Sequence, residues 1–188
     1  WAHQMQGTPY CIEYWYRVIC DQQGNIYCTG GFRDTVDFDP GPGINYAVSP
    51  GGYDAFVSKY DNSGSFQWVK HFGTSQSNQH DYAFETLIDN SNNLLITGQF
   101  NGSTDFDPGI GVHAVSAAGN SDIFILSLDN SGNFRWVKTM GSVNDDHGKA
   151  LAFDHLGSIL NVGNYHEDIL FDSTTNTILT FTPLWTDS

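Results

Sequence analysis

The feature that most constrains the fold is an internal repeat. The segment Asp61–Lys70 recurs as Asp129–Lys138, and Val36–Gly43 recurs as Thr104–Gly111, both at an offset of 68 residues. A third and more divergent copy follows after a further 65 residues. A repeat of this length is typical of one supersecondary unit that is copied along the chain and stacked on its neighbours. The chain is therefore an array of equivalent units.

Each unit contains four strand-like runs. In the second copy these runs are 82–88, 94–100, 122–128 and 134–140. They are rich in Val, Ile, Phe, Tyr and Trp, several alternate apolar with polar residues, and no window has a sustained helical period. The links Asp-Asn-Ser-Gly and Asp-Gln-Gln-Gly are typical of hairpin turns, because Asp accepts local N–H groups and Gly tolerates a positive φ.

Four antiparallel strands per repeat make up a propeller blade, so the pattern predicts an all-β fold of tandem four-stranded β-propeller blades. A β-sandwich need not repeat its sequence, and solenoid coils are usually shorter than this period, which disfavours both alternatives. The predicted parts are the last strand of a preceding blade and a linker (1–13), two complete blades (14–73 and 82–141) and a partial blade (148–188). Trp1 aligns with Trp68 and Trp136, and Thr186–Ser188 aligns with the start of a third strand. Because propellers close with four to eight blades, we expect a segment of a longer array, or several copies of this chain that close a ring together.

The motifs of one unit resemble a known repeat family. The stretches that carry the resemblance are Gly24–Gly30, Val36–Gly41, Gly52–Asp61 and Phe66–Lys70. They are similar to the SBBP repeat, a seven-bladed β-propeller repeat of secreted bacterial proteins, and the Asp-Phe-Asp-Pro-Gly version resembles those of Bacteroidetes surface proteins. The resemblance covers nearly the whole chain. It implies a propeller in a secreted or cell-surface protein, and it implies little about the ligand.

The charge balance excludes one class of partner. The chain has 21 acidic and 7 basic residues, for a formal net charge of −14. Nucleic-acid binding needs clustered Lys and Arg, so nucleic acid is excluded, whereas cations are attracted. No apolar run approaches the roughly 18–20 residues that cross a bilayer, so no membrane span is expected.

The Asp-Phe-Asp-Pro-Gly element is the best candidate site. In an extended segment residues two apart share a face, so Asp37 and Asp39 point the same way, as do Asp105 and Asp107. Two carboxylates and the carbonyls of a Gly-rich turn suit Ca²⁺, which takes six to eight oxygen ligands. The alternative is that Asp39 and Asp107 only cap an Asp-Pro-Gly turn. The third copy, Leu170–Asp172, lacks one carboxylate and is expected to bind weakly or not at all.

Other repeated polar and aromatic positions have a structural interpretation. Asp54, Asp122 and Asp187 are expected to bond the backbone of a neighbouring strand or blade, and the repeated Trp to pack between blades. The loops with His80–Asp81 and Asp145–His147 are predicted to be exposed polar loops rather than metal-ligand pairs.

The three cysteines, Cys11, Cys20 and Cys28, cannot all pair internally. We expect Cys20 and Cys28 to be small core residues, because Cys often packs as a hydrophobe, with one disulfide involving Cys11 as the alternative.

The sequence favours a binding role over catalysis. It contains no Gly-x-Ser-x-Gly elbow, His-Glu-x-x-His motif or Walker loop, and its acids recur blade after blade as structural positions do. The first hypothesis is a non-catalytic extracellular binding or scaffolding module, stiffened by Ca²⁺, that recognises a protein or a glycan. One alternative is a spacer unit of a surface adhesin or filament. Another alternative is part of a glycan-active propeller enzyme. Exposed and unrepeated acidic and aromatic residues on the channel would favour this enzyme hypothesis.

Overall fold

The computed structural model describes residues 6–8, 11–165 and 170–171. These residues form strands and their connections, without a helix, which confirms the all-β prediction. The strands are β1 (Gln6–Gly7), β2 (Ile12–Cys20), β3 (Ile26–Asp37), β4 (Tyr46–Tyr60), β5 (Phe66–Phe72), β6 (Tyr82–Ile88), β7 (Leu94–Asp105), β8 (Ala114–Leu128), β9 (Phe134–Gly141), β10 (His147–Phe153), β11 (Ile159–Asn164) and β12 (Leu170–Phe171).

The strands pair with their neighbours in the chain to form successive blades. Strands β2, β3, β4 and β5 make the first antiparallel sheet, and β6, β7, β8 and β9 make the second. Strands β10 and β11 form the described part of a third sheet. Short strands extend the first two sheets, since β1 pairs with the far end of β3 and β12 pairs with β9. This is the strand order of β-propeller blades, as the repeat predicts. Trp1 and Thr186–Ser188, on which the predicted incomplete blades rest, lie outside the described residues.

The blades stack face to face. The first strands β2 and β6 contact each other, as do β6 and β10. Strands β6 and β10 also pack across the sheet of the preceding blade. The first strand of every blade is therefore its inner strand, on the side where a propeller has its channel.

One core cluster lies between the first and second blades, and another, which includes Ile123, Ile125 and Leu151, lies between the second and third. Strand β4 is buried on both faces: Ala55 and Val57 belong to the core that is shared with the second blade, whereas Phe56 packs on the opposite face. This follows from the two-residue period of a strand. The ring of Phe72 bridges the two blades, with centroids 5.7 Å from Phe106 and 5.6 Å from Phe124. Each such buried aromatic contributes roughly 1.5–3 kcal/mol relative to an exposed one.

A glycine in the second strand of each blade permits a close approach of the inner strand. A Cβ atom on Gly30 would overlap the carbonyl oxygen of Tyr14, and one on Gly98 would overlap that of Tyr82. The inner strands have a β-bulge next to these carbonyls, between Trp15 and Arg17 in the first blade. The repeated Gly thus sets the position of the inner strand, and a bulge re-aims the side chains beside it.

The repeated Trp and Asp positions agree in part with their predicted roles. Trp68 packs against the core and borders Gly132 of the next blade. Asp122 accepts the backbone N–H of Ala118 at 2.9 Å, within its own strand. The prediction of backbone partners is wrong for Asp54, which accepts a side-chain hydrogen bond from Ser49 and lies 3.0 Å from Nδ1 of His71. The second blade has Ala117 and Thr139 at those two positions, so the acid must find other partners there. Asp187 lies outside the described residues.

The prediction for the cysteines is wrong in one position. Cys28 is half-buried, and burial raises the pKa of its thiol to about 11, but Cys20 is exposed. Cys20 ends β2, where it lines a groove together with residues 88–92 of the second blade. All three thiols are free, and Cys11 packs beside the cluster of Phe32, Phe38 and Phe56 on the outer face of the first blade.

Candidate functional site

The Asp side chains of the hairpin turns stabilise those turns by accepting backbone N–H groups. The Oδ1 atom of Asp89 accepts the N–H groups of Ser91 and Asn93, both at 2.8 Å. In the exposed turn of the first blade, the Ser63 hydroxyl and backbone N–H groups of the turn lower the pKa of Asp61. The same arrangement recurs at the other Asp-led hairpin turns, which begin at Asp21, Asp129 and Asp154.

The two Asp-Phe-Asp-Pro-Gly loops lie at the opposite end of the blades, at the tips of the β3–β4 and β7–β8 hairpins. Asp37 Oδ1 accepts the N–H groups of Asp39 and Asn45, at 3.1 and 2.8 Å. Asp39 Oδ1 accepts the N–H of Gly41 at 2.8 Å, and a Cβ atom on Gly43 would overlap Asp39 Oδ2. Both acids therefore cap the loop, and Gly is required where the second carboxylate oxygen lies.

The second blade repeats this geometry closely. Asp105 Oδ1 accepts the N–H groups of Asp107 and His113, at 3.1 and 2.7 Å, and Asp107 accepts that of Gly109 at 2.8 Å. Within the described ranges, no three His, Cys, Asp or Glu side chains form a group arranged for a metal ion. The capping bonds explain the geometry of the loops without a metal. Calcium binding by Asp37, Asp39, Asp105 and Asp107 stays a prediction, and Asp172 of the third copy lies outside the described residues.

The loops between blades are only partly the exposed polar loops that the sequence predicts, because residues 75–78 and Asp145 are exposed but Asp81 and Asp146 are buried. Asp81 is fully buried and accepts the N–H groups of Asn101 at 2.8 Å and Thr74 at 3.2 Å. Asp146 is buried in the same way and accepts the backbone N–H and hydroxyl of Ser142. Burial raises the pKa of Asp81 to about 7, in spite of the hydrogen bonds from Asn101 and Thr74. The prediction is wrong for the two buried acids because each ties the linker between two blades to the structure beside it.

Six rings come together where the inner strands of the first two blades meet. We call this group the inner-strand aromatic cluster: Tyr14, Tyr16, Tyr53, His80, Tyr82 and Phe84. Tyr53 lies with its ring centroid 5.4 Å from both Tyr14 and Tyr82, and Tyr16 lies 4.9 Å from Phe84 in an edge-to-face arrangement. Tyr14 and Tyr16 are each 44% exposed. The cluster therefore presents partly open aromatic surface on the channel side of the blades.

The β-bulges of the inner strands position the cluster. Tyr16 is the extra residue of the bulge in β2, and Phe84 occupies the same place in β6. Tyr14 and Tyr82, two residues earlier, stack on them with centroid distances of 6.2 and 5.8 Å. Burial, reinforced by neighbouring tyrosines, raises the pKa of Tyr82, and burial also raises that of Tyr16. The hydroxyls therefore remain protonated at neutral pH.

Arg17, Glu85 and Lys149, the charged groups next to the cluster, have interaction partners within the chain. The Arg17 guanidinium lies 2.7 Å from the Glu85 carboxylate, and that pair joins the first two inner strands. Lys149 of the third inner strand lies over the Phe84 ring, with Nζ 3.7 Å from the centroid. This cluster was not among the sites predicted from the sequence. Its signal is present in the equivalence of Tyr14 with Tyr82 and of Tyr16 with Phe84 at the 68-residue offset, but nothing local indicates that Tyr53 joins them.

Comparison with known proteins agrees with the repeat architecture. No protein-family model matches the chain. The chain is 24% identical over 127 residues to an uncharacterized WD repeat-containing protein of Acanthamoeba polyphaga mimivirus. This distant match and the strand order are both consistent with a propeller-type repeat fold. The match covers 59% of the chain and only 9% of the relative, and it supports neither the SBBP assignment nor a Bacteroidetes source, which stay predictions.

The described part of the chain contains no helix that is long and apolar enough to span a membrane.

Proposed function

We propose that this chain is part of a non-enzymatic β-propeller that binds a protein partner through the inner-strand aromatic cluster. The observation that carries the proposal is the exposure of Tyr14 and Tyr16 in a cluster whose rings hold one another in place. Rigid aromatic side chains lose little conformational entropy on binding, and Tyr is enriched at the energetic centres of interfaces. A cluster with these properties suits a recognition surface.

The state of the acids supports binding over catalysis. A general acid or base must reach its substrate, but Asp81 and Asp146 are fully buried and accept N–H groups of the nearby backbone. Glu85, the acid next to the cluster, is paired with Arg17. The turn and loop acids that recur in each blade accept backbone N–H groups. A glycan-active enzyme would need exposed aromatic and acidic residues together. The exposed aromatic residues are present, but no free carboxylate lies beside them in the described residues.

The finer parts of the proposal rest on fewer observations. Similarity to a WD repeat-containing protein supports a protein partner rather than a glycan. The secreted or cell-surface location rests on the SBBP resemblance, and calcium stiffening rests on the Asp-Phe-Asp-Pro-Gly loops. A role as a spacer in an adhesin or filament would leave the cluster without a ligand.

Binding arrays test the proposal and its alternatives together. The purified chain is applied to an array of 12-residue peptides of varied sequence and to a glycan array. The wild type is compared with Tyr14→Leu/Tyr16→Leu, and Tyr46→Leu is the matched control because Tyr46 is exposed on β4, in the arm that leads to the loop tip. We expect peptide binding that the double variant loses and the control retains. Glycan binding with release of shortened glycans would support the enzyme instead, and binding that is equal in all three proteins would overturn the role of the cluster.

A further inference from the structure

A cation of the chain itself already packs on one ring of the inner-strand aromatic cluster. The ammonium group of Lys149 lies 3.7 Å from the centroid of the Phe84 ring, well within the distance of a cation–π interaction. Lys149 is the bulge residue of β10, and its equivalents in the two preceding blades are Phe84 and Tyr16. Each bulge residue thus lies against the bulge residue of the blade before it. At the junction of the second and third blades the residue that fills this position is a cation.

At the junction of the first and second blades the corresponding position is filled by a ring. Phe84 contacts Tyr16 edge-to-face at 4.9 Å, and Tyr14, Tyr53 and Tyr82 surround the pair. The faces of aromatic rings carry negative potential, and several rings together attract one cation more strongly than a single ring does. Tyr14 and Tyr16 are the most exposed rings of the cluster, at 44% each.

The surrounding charges favour a cation over an anion or a neutral ligand. The chain has a formal net charge of −14, which attracts basic groups from a distance. The basic residues near the rings are engaged: Arg17 with Glu85 at 2.7 Å, and Lys149 with Phe84. Arg33, a cationic neighbour of Tyr53, has Asp34 at 3.9 Å. A neutral sugar would gain nothing from this field, and an anion would be repelled.

We propose that the inner-strand aromatic cluster binds the cationic side chain of a Lys or Arg in a basic segment of a protein partner. This inference rests on the proposed function and names the chemistry of its partner. The cation packs on the Tyr14 and Tyr16 rings as Lys149 packs on Phe84. The remaining contacts come from the neighbouring backbone of the partner.

A calorimetric titration with defined peptides tests the inference. Hexalysine is the probe, and hexalysine with all side chains Nε-acetylated is the neutral control of the same length. Each is titrated into the wild type, Tyr14→Leu/Tyr16→Leu, Tyr16→Phe and the matched control Tyr46→Leu, at 150 and 500 mM NaCl. The high-salt arm matters because a chain of this charge attracts any polycation, and that attraction is screened by salt.

We expect hexalysine to bind the wild type at both salt concentrations and the acetylated peptide not to bind. The double variant should lose about tenfold in affinity, since each ring contributes on the order of 0.5–1 kcal/mol. Tyr46→Leu should change the affinity less than twofold, and Tyr16→Phe should keep it, which separates loss of a ring from damage to the fold. Equal losses in the double variant and Tyr46→Leu, or binding that disappears entirely at 500 mM NaCl, would overturn the inference. Array peptides that bind through the cluster but contain no Lys or Arg would refute the inference while the proposed function stands.

Discussion

The junction between the first and second blades and the junction between the second and third have the same backbone arrangement. They differ in the side chains that fill them. Between the first and second blades, Lys59 lies over Tyr27 and donates a hydrogen bond from Nζ to the carbonyl of Asn130 at 3.0 Å. The equivalent residues at the next junction are the smaller Ser127 and Leu95. A groove of about 470 Å³ reaches them there, and Trp136 also lines it.

The inner side of the same junctions differs in a parallel way. At the first junction Tyr14, Tyr53 and Tyr82 form the centre of the aromatic cluster, whereas the equivalents of Tyr53 and Tyr82 at the second are Ser121 and His147. The hydrogen bonds that define the blade do not change between the copies, because they belong to the backbone and to the turn acids. Side-chain substitutions at equivalent positions are therefore enough to make one junction a candidate binding site and the other a groove.

The largest expected effect comes from opening the packed junction. Phe124 is fully buried between the first two blades, so Phe124→Ala should lower the free energy of unfolding by roughly 3–5 kcal/mol through lost burial and the cavity left behind. Phe153, 39% exposed at the second junction, should cost about 1 kcal/mol on the same substitution. Urea unfolding of both variants measures the difference. Similar losses would mean that the second junction is as tightly packed as the first.

Calcium is expected to act on the loop tips, which both complete blades share. Excess calcium should raise the melting temperature relative to EDTA, since a ligand that binds only the folded state stabilises it by about 2.7 kcal/mol at a hundred times its Kd. Asp105→Asn/Asp107→Asn should lose much of this rise but keep its melting temperature in EDTA, because Asn retains an oxygen for the capping bonds. Thermal melts in EDTA, CaCl₂ and MgCl₂ measure it. Equal destabilisation with and without metal would identify Asp105 and Asp107 as turn caps only.

The linker of the first junction should make stability depend on pH. Burial raises the pKa of Asp81 to about 7, so the folded state holds a proton that the unfolded state releases near pH 4. This contribution is complete below about pH 4 and is lost as the pH rises through 7, on the order of 2 kcal/mol between pH 5 and 8. Urea midpoints at the two pH values should therefore differ more in the wild type than in Asp81→Asn. The exposed Asp61→Asn serves as control, and an unchanged pH dependence in Asp81→Asn would contradict the assignment.

The smallest loss of stability is expected when the charge of Lys59, which the second junction lacks, is removed from the first junction. Lys59→Met keeps the apolar stem and removes both the hydrogen bond to Asn130 and the ammonium over Tyr27, so we expect a loss of about 1 kcal/mol. The same urea titration measures it. Lys149→Met, which removes only a cation–π contact, should cost less. A Lys59→Met variant as stable as the wild type would show that the filled junction gains nothing from the charge.

The repeat, the strands and the turns could be predicted from the amino-acid sequence. These are local and periodic features, since alternating apolar residues specify a strand and Asp with Gly specifies the hairpin between two strands. The predicted runs 82–88 and 134–140 accordingly lie in β6 and β9. Gly30 and Gly98 were visible as repeat positions too, although only the structure shows that the inner-strand carbonyl requires them.

Which polar residues are buried, and which aromatic residues contact one another, depends on how the blades pack together. The His80–Asp81 loop was predicted to be exposed, but Asp81 is buried. Its burial depends on how the linker folds over the neighbouring blade, which the residues of the loop do not indicate. Cys20 is exposed although it lies in a strand, as the half-buried Cys28 does. The aromatic cluster joins Tyr14, Tyr53 and Tyr82 from strands far apart in the chain. Such groupings arise from blade stacking, a long-range interaction that leaves no periodic mark in the sequence.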